Sequence, residues 1–318
     1  MTRSDHDSWD ITESVGATAL HIAAARAAET RSPDRLIDDP YAQLFLQAAG
    51  EDIAKTLWSA PHPNDQSQPS PGQSAIDRAR LAYTASRTKF FDDLCVRAAG
   101  VDVRQIVILA AGLDARAWRL PWPDGTVVYE IDQPKVLQFK AAVLQAHQCH
   151  TAARYVAVPI DLRNDWPKAL RQAGFDPSRP TAWLAEGLLP YLPAQAQDLL
   201  FDRVHAFSAN GSQVGVEAFD KEFFNPTNVE RHRTLRRRAA AAQGNQSQRR
   251  PDTADLWYLE ERTNVAEWLG LHGWSANVTS AKALVAQYDR LPPAGSQDAI
   301  PTINLVEGRL TKPQRPFE

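Results

Sequence analysis

The stretch Gln105-Ile-Val-Ile-Leu-Ala-Ala-Gly-Leu-Asp-Ala-Arg-Ala-Trp-Arg-Leu120 decides the fold. Its apolar run reads as a strand buried on both faces, which places helices on either side of a parallel sheet. The run opens into a small-residue turn at Ala110-Ala111-Gly112, where Gly112 has no Cβ to keep a flat ligand from the backbone. Twenty residues beyond Gly112, a second strand ends in Glu130-Ile131-Asp132, and a carboxylate there can accept both hydroxyls of a ribose. Outward from this pair the texture repeats. Strands are expected at Gln105 to Ala110, Thr126 to Ile131, Tyr155 to Ile160, Ala182 to Ala185 and Gln213 to Ala218, alternating with helical segments. Two more are expected near Trp274 to Val278 and Ile303 to Val306. The fold class is α/β, a doubly wound, mostly parallel seven-stranded sheet.

An alanine-rich segment, Ala17 to Thr30, predicts a cap helix, and the proline-rich stretch from Ala60 to Gln73 predicts a flexible connection. The expected organisation is a helical cap with its connection over 1–74 and a nucleotide-binding domain over 75–318, with a helical insertion at 219–262. A further flexible stretch is expected from Gln243 to Pro251. Of the 318 residues, 43 % are apolar and 23 % charged, which excludes wholesale disorder, collagen and coiled coil. The 35 Lys and Arg against 38 Asp and Glu leave a formal charge of −3, no field for a nucleic acid. No apolar run approaches a membrane span, the first 16 residues do not read as a signal peptide, and the two cysteines, Cys95 and Cys149, suit a reducing compartment. A cytoplasmic protein is expected.

A small-residue turn followed by an acid fits two cofactor classes, nicotinamide dinucleotides and S-adenosylmethionine. A dinucleotide needs its pyrophosphate at the start of a long helix in a G-x-G-x-x-G frame. Here the frame reads Ala110, Gly112, Ala115, and Pro121 and Pro123 stop the helix after about two turns. S-adenosylmethionine carries no phosphate and asks for acidic groups and one fixed cation. Strands three and four offer Asp161-Leu162 and Glu186-Gly187 at their ends.

These motifs, with Val128-Tyr-Glu-Ile-Asp-Gln-Pro-Lys-Val-Leu137, resemble the leucine carboxyl methyltransferase family, and most closely the S-adenosylmethionine-dependent methyltransferases of mycobacteria and other actinobacteria. Trp9-Asp10, Val15-Gly-Ala-Thr-Ala19, Ala24-Ala-Arg-Ala-Ala-Glu29, Asp39-Pro-Tyr-Ala42, Ser86-Arg-Thr-Lys-Phe-Phe-Asp92, Asp161-Leu-Arg163, Glu186-Gly-Leu-Leu-Pro-Tyr-Leu192 and His272-Gly-Trp274 extend the resemblance over nearly the whole chain. It implies a Rossmann-like class I methyltransferase that takes S-adenosylmethionine as methyl donor. It also implies that Gly112 lies beside the cofactor, Asp132 binds the ribose, Asp161 and Leu162 flank adenine, Glu186 meets the methionine moiety, and Arg87 pairs with the cofactor carboxylate. Ala110 departs from the family's usual Gly-Ala-Gly turn and is expected to weaken affinity at most. The implied acceptor is a carboxylate, or a hydroxyl, on a small molecule or peptide; the protein substrate of eukaryotic members is not carried over.

Each residue has a plainer reading. Asp132 could cap a helix starting near Pro134, Asp161 one near Trp166, and Arg87 could pair with a carboxylate on a neighbouring helix. Glu130 and Asp132 are expected on opposite strand faces, so that only Asp132 meets the ribose. His147-Gln-Cys-His150 does not complete a metal set, so no metal is expected. The basic run Arg231 to Arg238 reads as a solvated helix face. Trp257, Tyr258 and Trp268 are either core or the wall of an acceptor pocket. A carboxylate acceptor, ionised at neutral pH, requires no general base. A hydroxyl would require one, and Tyr191, His205 and His21 stand as equal candidates. Two alternatives remain at this point, an NAD(P)-dependent oxidoreductase and a non-catalytic binder of S-adenosylmethionine.

Overall fold

The structure, a computed structural model, describes residues 14–50, 75–219, 256–292 and 294–311, together with 223, 225, 227, 228, 230 and 234. Among the described residues, three helices precede the sheet: α1 (Ser14–Thr30), α2 (Pro40–Ala48) and α3 (Ala75–Gly100). The sheet is then laid down as β1 (Gln105–Leu109), α4 (Arg116–Arg119), β2 (Val127–Asp132), α5 (Pro134–Ala146), β3 (Arg154–Pro159), α6 (Trp166–Gln172), β4 (Thr181–Ala185), α7 (Ala194–Ala206) and β5 (Gln213–Ala218). After residues 256–264 come α8 (Val265–Leu271), β6 (Trp274–Ser280), α9 (Ala281–Gln287) and β7 (Asn304–Leu310).

The strands lie in the order β3-β2-β1-β4-β5-β7-β6, with β7 antiparallel to both of its neighbours. The expected seven-stranded sheet is therefore present. Sequence and structure differ at the strand ends: β7 runs to Leu310 rather than Val306, and β6 to Ser280, because the antiparallel β6–β7 pairing continues from Trp274↔Leu310 to Ser280↔Asn304. Every residue of β1, β4 and β5 is buried, as strands covered by helices on both faces must be. At β5 the helix comes very close. A Cβ on Gly215 would lie 2.8 Å from Leu94 and 3.1 Å from Phe91 of α3, so only glycine lets α3 seat on the sheet. The edge strand β3, by contrast, is half exposed.

Register sets the working edge. Leu109 is paired with both Ile131 and Ala185, and Ala185 with Val216. Ala110, Asp132, Glu186 and Glu217 therefore stand level along the carboxyl rim. Strand order reverses between β1 and β4, where a crevice opens in sheets of this kind. On one flank α1 and α2 pack as a pair whose apolar residues, among them Leu20, Phe45 and Leu46, join Leu113 of the turn and Val143 and Leu144 of α5. Asp39 starts α2 by accepting from the amides of Tyr41 (3.2 Å) and Ala42 (3.1 Å), with Pro40 in the first turn where its missing N–H is harmless. The expected flexible stretches at 60–73 and 243–251 and the basic run 231–238, apart from Thr234, lie outside the described residues.

Candidate active site

The turn after β1 is held from three sides. Its Gly112 amide donates to Asp132 Oδ2 (2.6 Å), Arg26 of α1 donates to the Leu113 carbonyl (2.6 Å), and Lys140 of α5 donates to the Asp114 carbonyl (3.0 Å). Gly112 sits at φ +51°, and a Cβ there would come within 3.4 Å of Ala19, so α1 lies directly over the turn. Ala110 also takes a left-handed conformation, φ +52°. The family's usual glycine would relax there, so the departure at this position acts on backbone strain as well as on the space a ligand meets.

Asp132 accepts a second hydrogen bond from the Gln133 amide (2.6 Å). Burial pushes its carboxyl above the ordinary value, and the two backbone donors only partly offset this. No cation touches it among the described residues. The capping alternative is corrected by α5, whose N-cap is Gln133, without a side-chain bond. The helix near Trp166 is likewise capped by Asp165, which accepts from the Lys168 amide, and not by Asp161. Asp161 instead accepts from the side chain of Gln133, the N-cap of α5 (3.0 Å), and is paired with Arg163 (2.7 Å), while Leu162 packs on the core beside it.

The expectation that Glu130 and Asp132 face opposite ways is wrong. They are two residues apart on β2, so the strand's alternation puts both on one face. Glu130 lies one pleat deeper, fully buried, in contact with Lys140 and accepting from the Tyr155 hydroxyl (3.0 Å), with its Oε1 left without a partner. Burial raises its carboxyl from the ordinary 4.5 to about 7, overriding the attraction of Lys140. Because the folded value exceeds the unfolded one, this group's stabilising contribution is complete below pH 4.5 and is lost as pH rises to about 7. The span corresponds to about 3 kcal/mol. Glu130→Gln is expected to flatten the fall in stability between those pH values, read from urea denaturation at a series of pH values; an unchanged slope would contradict it.

At the other side of the crevice the strand ends form a chain of ion pairs. Arg87 of α3 donates through Nε to Glu186 (2.9 Å) and through Nη1 to both oxygens of Glu217 (3.1 and 3.0 Å). Glu217 also accepts from the Tyr83 hydroxyl (2.5 Å) and the Gly187 amide (2.7 Å), which saturates it. Arg116 holds Glu186 (2.8 Å), Asp92 (2.7 Å) and Asp114 at once. Burial works against ionisation of Glu186, but Arg116 and Arg87 outweigh it and keep the carboxyl below its usual value. Thus Arg87 does pair with carboxylates, as the plainer reading held, but they stand at the strand ends and not on a helix. Its Nη2 donates to none of the described residues.

The sequence reading missed Glu217, Tyr83 and Arg116. Glu217 did carry a signal, a lone acid at the carboxyl end of an otherwise apolar strand. Two other candidates move away from the site. His205 ends α7, and its imidazole accepts from the Trp274 indole (3.2 Å) at the opposite rim of the sheet, a strand's length away. Trp268 stacks on His272 (3.7 Å between centroids) and packs against Phe201, as core. Trp257 meets Phe223 (5.0 Å), which meets Phe219 just past β5 (4.8 Å), so this aromatic cluster borders the rim. Tyr191 lies in the turn after Gly187, beside the rim, and His21 is exposed on α1. His147 ends α5 as its C-cap, and no group of three metal-binding side chains occurs among the described residues.

Residues 19–205 match the family described as leucine carboxyl methyltransferase. The chain belongs to that family. Its relatives include a protein of Mycolicibacterium paratuberculosis, 50 % identical over 99 % of each chain, and one of Mycobacterium tuberculosis, 52 % identical over 95 % of this chain and 96 % of that one; both carry the name "Putative S-adenosyl-L-methionine-dependent methyltransferase". A DUF574-family crystal structure from Streptomyces avermitilis shares the fold, with a TM-score of 0.50 over 84 % of this chain and 95 % of that one at 14 % identity. Membership makes the chain an S-adenosylmethionine-dependent methyltransferase. The dinucleotide alternative lacks its structural basis, since the helix after the glycine turn, α4, has only four residues. No described helix is long and apolar enough to cross a membrane.

Proposed function

We propose that this leucine carboxyl methyltransferase family member methylates the oxygen of an ionised carboxylate on a small molecule or peptide. The observation that carries this reading is the state of the acids at the rim. Glu186, Asp114 and Asp92 are tied to arginines, and Glu217 to an arginine, a tyrosine and an amide. Glu186 and Asp114, held below their usual values by arginines, are poor bases, so an acceptor that arrives already deprotonated suits the site better than a hydroxyl. The cofactor supplies an activated methyl group and a good leaving group. The chain's own task is to bind, align and keep water out.

In this reading Gly112 lets the cofactor approach the backbone, and Asp132 takes the ribose hydroxyls. Asp161 and Leu162 flank the adenine, Glu186 receives the amino group, and Arg87 offers its Nη2 edge to the carboxylate. The residues fit the cofactor's chemistry: a partly buried carboxylate bonded, among the described residues, only by amides, a guanidinium whose Nη2 meets no described acceptor, and a turn without a Cβ. The aromatic cluster of Phe219, Phe223 and Trp257 gives the acceptor side an apolar border.

The test is incubation with a methyl-labelled donor and a panel of carboxylates and phenols, followed by alkali. Label released as methanol marks a methyl ester and is the expected result. Label that resists alkali would mark an ether or amine and overturn the carboxylate reading.

A further inference from the structure

We infer that the pocket holds the methyl donor more tightly than its demethylated product by charge, because the buried ion-pair chain along its rim has one carboxylate more than it has guanidinium groups. This rests on the pocket assignment above and goes beyond it. The chain is continuous. Arg26 pairs with Asp39 (2.7 Å), Asp39 faces Arg119 (4.0 Å), Arg119 pairs with Asp92 (2.5 Å), and Asp92 with Arg116 (2.7 Å). Arg116 then joins Asp114 and Glu186 (2.8 Å), Glu186 joins Arg87 (2.9 Å), and Arg87 ends the chain on Glu217 (3.0 Å). Four arginines thus face five acids, and no side chain among them is more than 13 % exposed.

Among the described residues, the neighbouring charges do not cancel the surplus. Glu130, whose carboxyl is raised to about 7, offsets Lys140 only in part near neutral pH, Arg163 pairs with Asp161, and Asp132, held by backbone amides, adds a further carboxylate against what remains of the Lys140 charge. The burial that penalises an unpaired charge also magnifies its attraction for an incoming cation. Arg87 keeps one corner for a carboxylate, so the ammonium and carboxylate of a methionyl group would balance each other there. The sulfonium remains as the net positive charge.

On transfer the acceptor oxygen bonds to the methyl carbon as the carbon–sulfur bond breaks, its electron pair staying on sulfur. Carboxylate and sulfonium become ester and thioether, both neutral. The rim's surplus negative charge then loses its partner, which favours departure of the product. A unit charge within about 6 Å of the surplus, at the effective dielectric of a partly buried pair, is worth roughly tenfold or more in affinity.

Calorimetric titration of the full chain with three ligands tests this: S-adenosylmethionine, S-adenosylhomocysteine, and an analogue with a protonated amine in place of the methylsulfonium. The two cations are expected to bind about tenfold or more tighter than S-adenosylhomocysteine. Glu217→Gln brings the chain to four against four and should pull that ratio towards one, mainly by weakening the cations. Tyr83→Phe removes a hydrogen bond on Glu217 without changing charge and should leave the ratio as it was. Equal affinities in the unaltered protein, or tighter binding of S-adenosylhomocysteine, would overturn the inference whether or not the variants fold. Binding of none of the three would overturn the pocket assignment itself.

Discussion

Asp132→Ala is expected to reduce affinity for S-adenosylhomocysteine by roughly 10²–10⁴-fold. Two hydroxyls donating to one carboxylate give two charge-assisted hydrogen bonds of about 1.5–3 kcal/mol each, and each 1.4 kcal/mol is about tenfold. The same substitution should do little harm to folding. Burial disfavours the ionised Asp132, raising its carboxyl above the ordinary value, and no cation among the described residues loses a partner when it goes. The amides of Gly112 and Gln133 are left to water, a partial loss offset by relief of a desolvated charge. The result sought is therefore a dissociation: calorimetric binding lost, thermal melt nearly unchanged. A variant that binds within threefold of the original protein would remove Asp132 from the ribose site, and one that fails only by unfolding would make it a structural residue.

What the sequence disclosed follows from how locally each feature is encoded. The seven strands were legible because β1, β4 and β5 are mostly apolar and so mark themselves by composition, although only cross-strand pairing carries β7 to Leu310. The glycine turn and Asp132 were legible because both stand at the end of a recognisable strand. Arg116 was not, although it lies within the stretch that decides the fold. Its partners Asp92 and Glu186 are 24 and 70 residues away, and nothing in its own neighbourhood tells a buried hub from a solvated helix residue. Glu130 shows a different kind of failure. The strand was found, but its face was miscounted by one step, and Glu130 on the same face as Asp132 is a buried partner of Lys140. His205 failed for a topological reason, since the end of α7 leads into the start of β5 and so belongs to the rim opposite the crevice.

Arg116 is also where the largest loss of stability is expected. Its guanidinium, 3 % exposed, reaches Asp92, Asp114 and Glu186, and donates to the Thr88 carbonyl (3.3 Å). Arg116→Met fills similar space and leaves three buried carboxylates short of a counter-charge, for which about 3–5 kcal/mol is typical. At roughly 2–4 °C per kcal/mol, the midpoint should fall on the order of 10 °C. The pH dependence separates this cause from mere loss of packing. Burial opposes ionisation of Asp114 and Glu186, but Arg116 and its neighbours prevail and depress both carboxyls. A depressed folded value means that the stabilisation is present above the unfolded value near 4 and is lost as pH falls through the folded one. In Arg116→Met the same acids titrate higher and take up protons sooner, which relieves their repulsion. The gap between the two proteins should then be widest near pH 8 and close as pH falls towards 4. Arg116→Lys should lie between them, because an ammonium is a point charge and cannot bridge three carboxylates. A gap that stayed constant with pH would assign Arg116 to packing and leave the ion-pair chain without its central member.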